Sequence, residues 1–497
     1  MTSERTIIRG AEVFDGEQRL GARDVIVEGG RIAEVCEPRD DDFYATAREE
    51  AMGRVLEVSR AGADTVIDAR GKLLSPGFID LHCHLRDPGQ TWKEDIFSGS
   101  AAAAAGGFTT VVCMPNTDPP IDRGAVAEYV IDRGMRCGLC RVLPAGCLSA
   151  ARDGEELSDL ASLYAAGVRI FSDDGSDTAG ADTFLHALEF LSMLPDARAL
   201  IHAEVPELAA GVMHEGEVCA RLGHGGIHHL SEDIGAARAL LCSLSAGQPL
   251  QITHISSAST LDLVRYAKLR AQHDGCPDLI SADATYNHLL LTEEAVAQHG
   301  SLAKINPPLR SEADRQALLS ALVDGTLDAL VTDHAPHTLD EKAQEMQYAP
   351  FGIAGFELAF GLLNAGLVGR DTPAGVITLE RVLGLLTSGP ARLLAGARPG
   401  VGRAVPALGE GPLTDFHPRR IETSPGRVAA GLAADLALID LEAEWEIDPE
   451  QLLSRGRNMP YAGWQAKGRV LLTMCGGRIT HRADGFAVQP AQAEHGP

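Results

Sequence analysis

Along the middle of the chain, short apolar runs alternate with longer alanine- and leucine-rich stretches. Eight runs can be placed: FIDLHCH (78–84), TTVVCMPN (109–116), RVLPAG (141–146), VRIFSDDG (168–175), ALIHAE (199–204), LQITHISS (250–257), LISADATYN (279–287) and DALVTDHAP (328–336). Runs of this length, nearly continuous in apolar residues, read as strands buried on both faces. The stretches between them, such as GSAAAAAGGF and ASTLDLVRYAKLRAQH, read as helices. Strands alternating with helical patterns make βα units, and eight such units in about 325 residues predict an α/β fold, a (β/α)8 TIM-like barrel with insertions, over residues 76–400.

The two ends of the chain have a different rhythm. Residues 1–75 contain TIIRGAEVFDG, DVIVEGGRIAEV and TVIDARGKLLSPG, short β-branched runs separated by Gly and Asp turns. Residues 427–497 repeat the style in AADLALIDLEAEWEI and GRVLLTMCGGRITHR. Together they predict one small β-sandwich domain built from both termini. A charged, helix-like insert at Asp40–Ala63 interrupts the first half, and the proline-rich Gly400–Gly426 reads as an insertion or linker at 401–426.

The polar residues gather where the central strands end. The runs finish in His82 and His84, Asn116, Asp173 and Asp174, His202, His254, Asn287 and His288, and Asp333. In a barrel of this type those ends converge on one face, where active sites are built. Strand side chains alternate, so His82 and His84 share a face while Cys83 points away. Two imidazoles so placed can bind one metal ion, and Arg86, two residues on, can hold a carboxylate.

Composition narrows the partners. The formal charge of −26 argues against a nucleic acid or an anionic membrane surface. It does not exclude a small anionic substrate, because one pocket arginine outweighs surface charge beyond a Debye length of roughly 8 Å. With no apolar leader and no run of about 18 apolar residues, the expected location is the cytoplasm. The ten cysteines lie mostly in apolar segments. The one C-x-x-C, Cys137 and Cys140, falls in RCGLCRVLPAG, read as strand, and the expectation there is reduced, buried thiols.

Taken in order, HCHLRDPG, CMPNTDPP, FSDDG, IHAE, THISS, INPPLR, TDHAPH and APFGIAGFE resemble the dihydroorotases of the amidohydrolase superfamily, of the bacterial class I type. The resemblance runs from Pro76 to about Leu394. It implies a zinc-dependent cyclic amide hydrolase with two zinc ions. His82, His84 and Asp333 would hold one, His202 and His254 the other, and Asp174 would bridge them. It places a substrate carboxylate on Arg86, Asn116 and His337, and the pyrimidine ring on Asn306 and the backbone of Phe351 and Gly352. Asp333 would serve as base and then acid in the reversible cyclisation of N-carbamoyl-L-aspartate to L-dihydroorotate, a step of pyrimidine synthesis. A homo-oligomer and association with aspartate transcarbamoylase are further expectations from the family.

Two alternatives stand beside this reading: a dihydropyrimidinase- or allantoinase-like enzyme, and a non-catalytic scaffold for the transcarbamoylase. Many relatives of the first kind bridge their metals with a carboxylated lysine from the fourth strand, and this chain has no lysine between Lys93 and Lys268. Scaffolds of the second kind typically lack metal ligands, and all six are present here. The chain departs from the family pattern at ATYNHLLLT, where many class I relatives carry Pro-His-His. That leaves Tyr286, Asn287 and His288 without an inherited role. It also departs at HAE, where HCE is common. His224, His228 and His229 are expected in a solvated Gly-rich loop, His334 beside the site rather than in it, and Asp173 in a structural role.

Overall fold

The protein is described by a computed structural model over residues 5–39, 65–176, 180–395 and 423–483, with the backbone of 489–490. The insert expected at Asp40–Ala63 lies outside these residues, as does most of Gly400–Gly426.

Eight parallel strands form the centre: β1 (Phe78–Cys83), β2 (Phe108–Cys113), β3 (Arg141–Gly146), β4 (Ile170–Phe171), β5 (Arg198–Ile201), β6 (Leu250–Ile252), β7 (Ile280–Thr285) and β8 (Ala329–Val331). They pair in sequential order, and the first meets the last: His84 N–H donates to His334 O at 2.8 Å and Asp333 N–H to His82 O at 3.0 Å. The expected barrel is therefore present, strand for strand. Most strands stop short of the apolar runs that predict them, because the polar ends leave the hydrogen-bond ladder and turn into the loops of one face.

Alternation along the strands separates two cores. Ile79 and Leu81 of β1, Val112 and Met114, Leu143 and Ala145, Ile170, Leu200 and Val331 cluster with Leu393 and Leu394 of the last helix, filling the barrel interior. The alternate residues, among them Phe78, Val111, Cys113, Phe171 and Ile201, pack outward against the helices. This layering carries most of the apolar burial that stabilises the fold.

Both termini join in one nine-stranded mixed sheet. The strand Leu436–Glu446 runs antiparallel to Leu73–Pro76, with Leu438 opposite Leu74, and Leu73–Pro76 pairs in turn with Arg5–Phe14. Its own core comprises Ile8, Val25, Ile32, Ile67, Leu74, Leu436, Leu438, Leu472 and Met474. The chain passes from sheet to barrel at Gly77, where a Cβ would sit 2.3 Å from Thr109 Cγ2, so only glycine fits.

The C-x-x-C differs from expectation. Cys137 ends the helix Gly124–Cys137, and Gly138 caps it in the left-handed region (φ 63°), so only Cys140 leads into strand β3. All ten cysteines are free thiols. Among the described residues no helix is long and apolar enough to cross a membrane.

Candidate active site

The mouth of the barrel gathers the six candidate metal ligands. At the end of β1 the ladder to β2 is irregular between Asp80 and Cys83, and the buried Asp80 carboxylate bridges the irregularity. It accepts from His82 N–H and Thr332 N–H, both at 3.1 Å, and from Thr332 Oγ1 at 2.5 Å, tying β1 to β8. Beyond it the rings of His82 and His84 lie 5.4 Å apart, while Cys83 turns outward with Sγ on Val112 O.

Asp174, just past β4, is central. Its Oδ1 lies 3.2 Å from His82 Nε2, 3.4 Å from His254 Nε2 and 3.8 Å from His202 Nδ1, and its Oδ2 3.6 Å from His84 Nε2. Asp333 Oδ1 is 3.1 Å from His84 Nε2 and 3.7 Å from His82 Nε2. His202 Nδ1 faces His254 Nε2 at 3.1 Å. His82, His84 and Asp333 form one group able to hold a metal, and His82, Asp174 and His254 another.

The backbone is strained at this rim: His254 (φ 39°), Asp333 (φ 46°) and Arg86 (φ 59°) all lie in the left-handed region without being glycine. Such strain persists where surrounding structure over-determines it, commonly at functional sites.

Electrostatics favour a cation. Burial alone would push the His82 imidazole down, but the Asp174 and Asp333 carboxylates raise it to about 9. Burial opposes ionisation of Asp174, yet the facing histidines hold its carboxyl well below the usual range. Burial and the neighbouring imidazoles lower His254 to about 4. His82 Nε2 is buried and has no hydrogen-bond partner, although it points at two carboxylates. Four imidazoles and two carboxylates around an unpartnered nitrogen fit a divalent transition metal.

A second layer fixes the ligands. His82 Nδ1–H donates to Thr253 Oγ1 at 2.9 Å, and Thr253 Oγ1–H to Asp283 Oδ1 at 3.1 Å. Asp283 also accepts from His254 N–H at 2.6 Å. His84 Nδ1 meets Asn116 Oδ1 at 2.9 Å, and His202 Nε2 points at Glu204, 3.6 Å away.

Among the residues expected to bind substrate, Arg86 Nη2 lies 3.0 Å from His337 Nε2, which in turn lies 2.9 Å from Phe351 O. Burial, then the charges of Arg86 and Lys93, pull His337 far down, so its imidazole is neutral at physiological pH. Asn306 Nδ2 donates to Glu204 at 2.8 Å, and its Oδ1 is buried without a partner. Gly352 N–H donates to Lys304 O at 2.9 Å, and Gly352 O accepts from Lys342 and Asn458. That leaves Phe351 N–H, to which no described group acts as acceptor, as the free backbone donor of this pair.

A protein-family model described as Dihydro-orotase-like matches residues 71–260. A dihydroorotase of Syntrophus aciditrophicus (strain SB) is 36% identical over 482 residues, spanning 97% of this chain and 100% of the relative. That of Aquifex aeolicus (strain VF5) is 35% identical over 479 residues, spanning 96% and 99%. The chain belongs to the dihydroorotase family. Among solved structures, a dihydropyrimidinase from Brevibacillus agri NCHU1002 superposes with a TM-score of 0.70 at 19% identity, covering 98% of this chain and 97% of that one. An L-hydantoinase from Arthrobacter aurescens gives 0.71 at 20% identity, covering 95% of each. At that identity the likeness concerns the fold alone.

The residues left without a role are structural. Tyr286 O–H donates to Gly355 O at 3.3 Å, Asn287 accepts from Tyr461 O–H at 2.8 Å, and His288 sits between Thr285 Oγ1 and Pro307 O. His334 takes Gly355 N–H on Nδ1 and stacks on Phe356. Asp173 accepts from Leu148 N–H and from Ser149 N–H and Oγ1–H, tying down the loop after β3. His228 caps the helix His229–Ala246, and His229 pairs with Asp233, so these two lie at a helix start.

Proposed function

We propose that this chain catalyses the reversible interconversion of L-dihydroorotate and N-carbamoyl-L-aspartate. The observation carrying the reading is Asp174, an aspartate in contact range of four imidazoles where related cyclic amidases are expected to use a lysine. His82, His84 and Asp333 would hold one zinc ion, His202 and His254 the second, with Asp174 shared between them. When bound, such a pair supplies a water ionisable near neutral pH and polarises the carbonyl under attack.

The chain's own residues bind, orient and move a proton. Arg86 and the neutral His337 offer donors to the substrate carboxylate, and Asn116 adds an amide N–H. Asn306 and Phe351 N–H would hold the ring, while Gly352 contributes space: a Cβ there would meet Ala335 Cβ at 2.7 Å. Water adds to the ring carbonyl, the C–N bond breaks, and the Asp333 carboxylate carries the water's proton to the leaving nitrogen. The product gains a carboxylate and a proton is released, so opening is favoured as pH rises and closure as it falls.

The reading also carries a cytoplasmic homo-oligomer that associates with aspartate transcarbamoylase, supported by the family resemblance and testable by light scattering with and without that partner. The activity itself is tested by a substrate screen across pH. Turnover of dihydroorotate with a product ratio that shifts between about pH 6 and 8 is expected. Turnover of hydantoin or allantoin without dihydroorotate would overturn it.

A further inference from the structure

Two lysines lie buried behind the loop that carries Phe351 and Gly352, and the proposed chemistry uses neither. Lys342 is 1% exposed and Lys304 2%. Lysine is almost never fully buried unless paired. Yet among the described residues no carboxylate lies within 4.0 Å of either ammonium. Their partners are backbone carbonyls instead. Lys342 Nζ donates to Pro350 O and Gly352 O, both at 2.9 Å, and lies 3.2 Å from Lys304 O. Lys304 Nζ donates to Met346 O and Ala349 O, both at 2.7 Å, and stands 4.3 Å from the centre of the Phe351 ring.

Four carbonyls of one seven-residue stretch, 346–352, are thus turned toward two cations on its far side. The same loop carries Phe351, whose O lies 2.9 Å from His337 Nε2 and whose N–H meets no acceptor among the described residues. Burying two like charges side by side is unfavourable, and the fold shows that cost in both groups: burial, with Lys304 beside it, lowers Lys342 to about 7, and burial lowers Lys304 to about 8. Two methionines or leucines would fill the volume without that penalty but could not converge donors on four acceptors.

We propose that Lys304 and Lys342 are positioning residues that clamp the 346–352 loop and so set where Phe351 N–H meets the substrate's ring. The proposal rests on the reading that this loop contacts the ring.

The test compares Lys342→Met and Lys304→Arg with the wild-type holoenzyme. The arginine variant keeps the charge but cannot set one compact ammonium between both carbonyls. Measured are KM and kcat for dihydroorotate, bound metal, and the inhibition constant of succinate, a dicarboxylate that Arg86 can hold but that has no ring. The clamp predicts KM raised about tenfold, the worth of one hydrogen bond to the substrate, with kcat within about threefold and succinate inhibition and metal content unchanged. Unchanged KM in either folded variant, or KM and succinate inhibition weakened together, would overturn it. Phe351→Pro, which removes the N–H, separates the two ideas. If it raises KM while the lysine variants do not, the clamp fails and the loop reading stands; if it leaves KM unchanged, the loop reading itself fails. Should Lys342→Met not fold, Lys304→Arg alone decides by the same criteria, and amide exchange over 346–352 must be faster in it than in the wild type.

Discussion

Asn116 Oδ1 lies 2.9 Å from His84 Nδ1, on the side of the imidazole away from Asp333 and Asp174. His84 Nε2 faces the carboxylates, so Nδ1–H donates to the amide oxygen and the ring is held in the tautomer that leaves Nε2 for a metal. The sequence suggested only a substrate contact for Asn116. Its oxygen is committed to His84, and its two N–H groups remain for the substrate.

Asn116→Ala is therefore expected to weaken two properties at once. Metal affinity, measured by chelator competition, should fall about 10- to 100-fold, as for other second-layer partners. KM for dihydroorotate at saturating metal should rise as well. A rise in KM with metal affinity intact would restrict Asn116 to the substrate.

Thr253 should behave differently. It relays His82 Nδ1–H to Asp283 and is not among the residues proposed to touch substrate. Thr253→Val keeps the shape and removes the relay. Metal affinity is expected to drop at least about tenfold while KM at saturating metal stays put. An unchanged metal titration would mean that His82 needs no fixing.

In the proposed reading, Arg86 would supply the charge for the substrate carboxylate. Arg86→Met is expected to raise KM at least about thirtyfold, the low end for losing one partner of a buried, hydrogen-bonded charge pair. Arg86→Lys should recover only part of this, because a point charge cannot copy the planar fork. Full recovery by lysine would show that charge alone matters.

The buried lysines make stability depend on pH. The folded-state value of Lys342 is lowered to about 7 from an ordinary 10.5, so below about 7 both folded and unfolded chains carry its proton and the folded state bears the full burial cost. Between those values the unfolded chain binds more protons, and stability rises with pH until both forms are neutral. Lys304, lowered to about 8, adds to the upper part of the window. Lys342→Met should flatten that rise in denaturant melts between about pH 7 and 10; an identical slope in wild type and variant would contradict the assignment.

Much of this architecture was legible beforehand, for definite reasons. Continuous apolar runs ending in His, Asp and Asn mark barrel strands and their rim together, which located β1 to β8 and all six ligand candidates. Asp80 and Asp283 escaped notice, though each is an acid inside an otherwise apolar strand run, a signal that could have flagged them. What they do depends on pairing across strands: Asp80 spans an irregularity in the β1 ladder, and period-2 alternation does not reveal such an irregularity. Asn458 was beyond reach for another reason. It comes from the C-terminal segment, yet it accepts from His337 N–H at 2.9 Å and donates to Ala335 O and Gly352 O. No local pattern predicts a contact across 121 positions. Reading RCGLC wholly as strand missed the helix end because Gly138 is a left-handed cap, and a glycine before an apolar run also suits a strand entry.

The most direct measurement concerns Asp174. Purified wild type and Asp174→Ala, each loaded with zinc and desalted, are assayed for metal by mass spectrometry and for dihydroorotate hydrolysis. If Asp174 joins the two groups of ligands, the wild type retains about two zinc ions per chain, and the variant retains one or fewer and loses hydrolysis. A variant that keeps two ions and wild-type turnover would contradict the central role given to this aspartate.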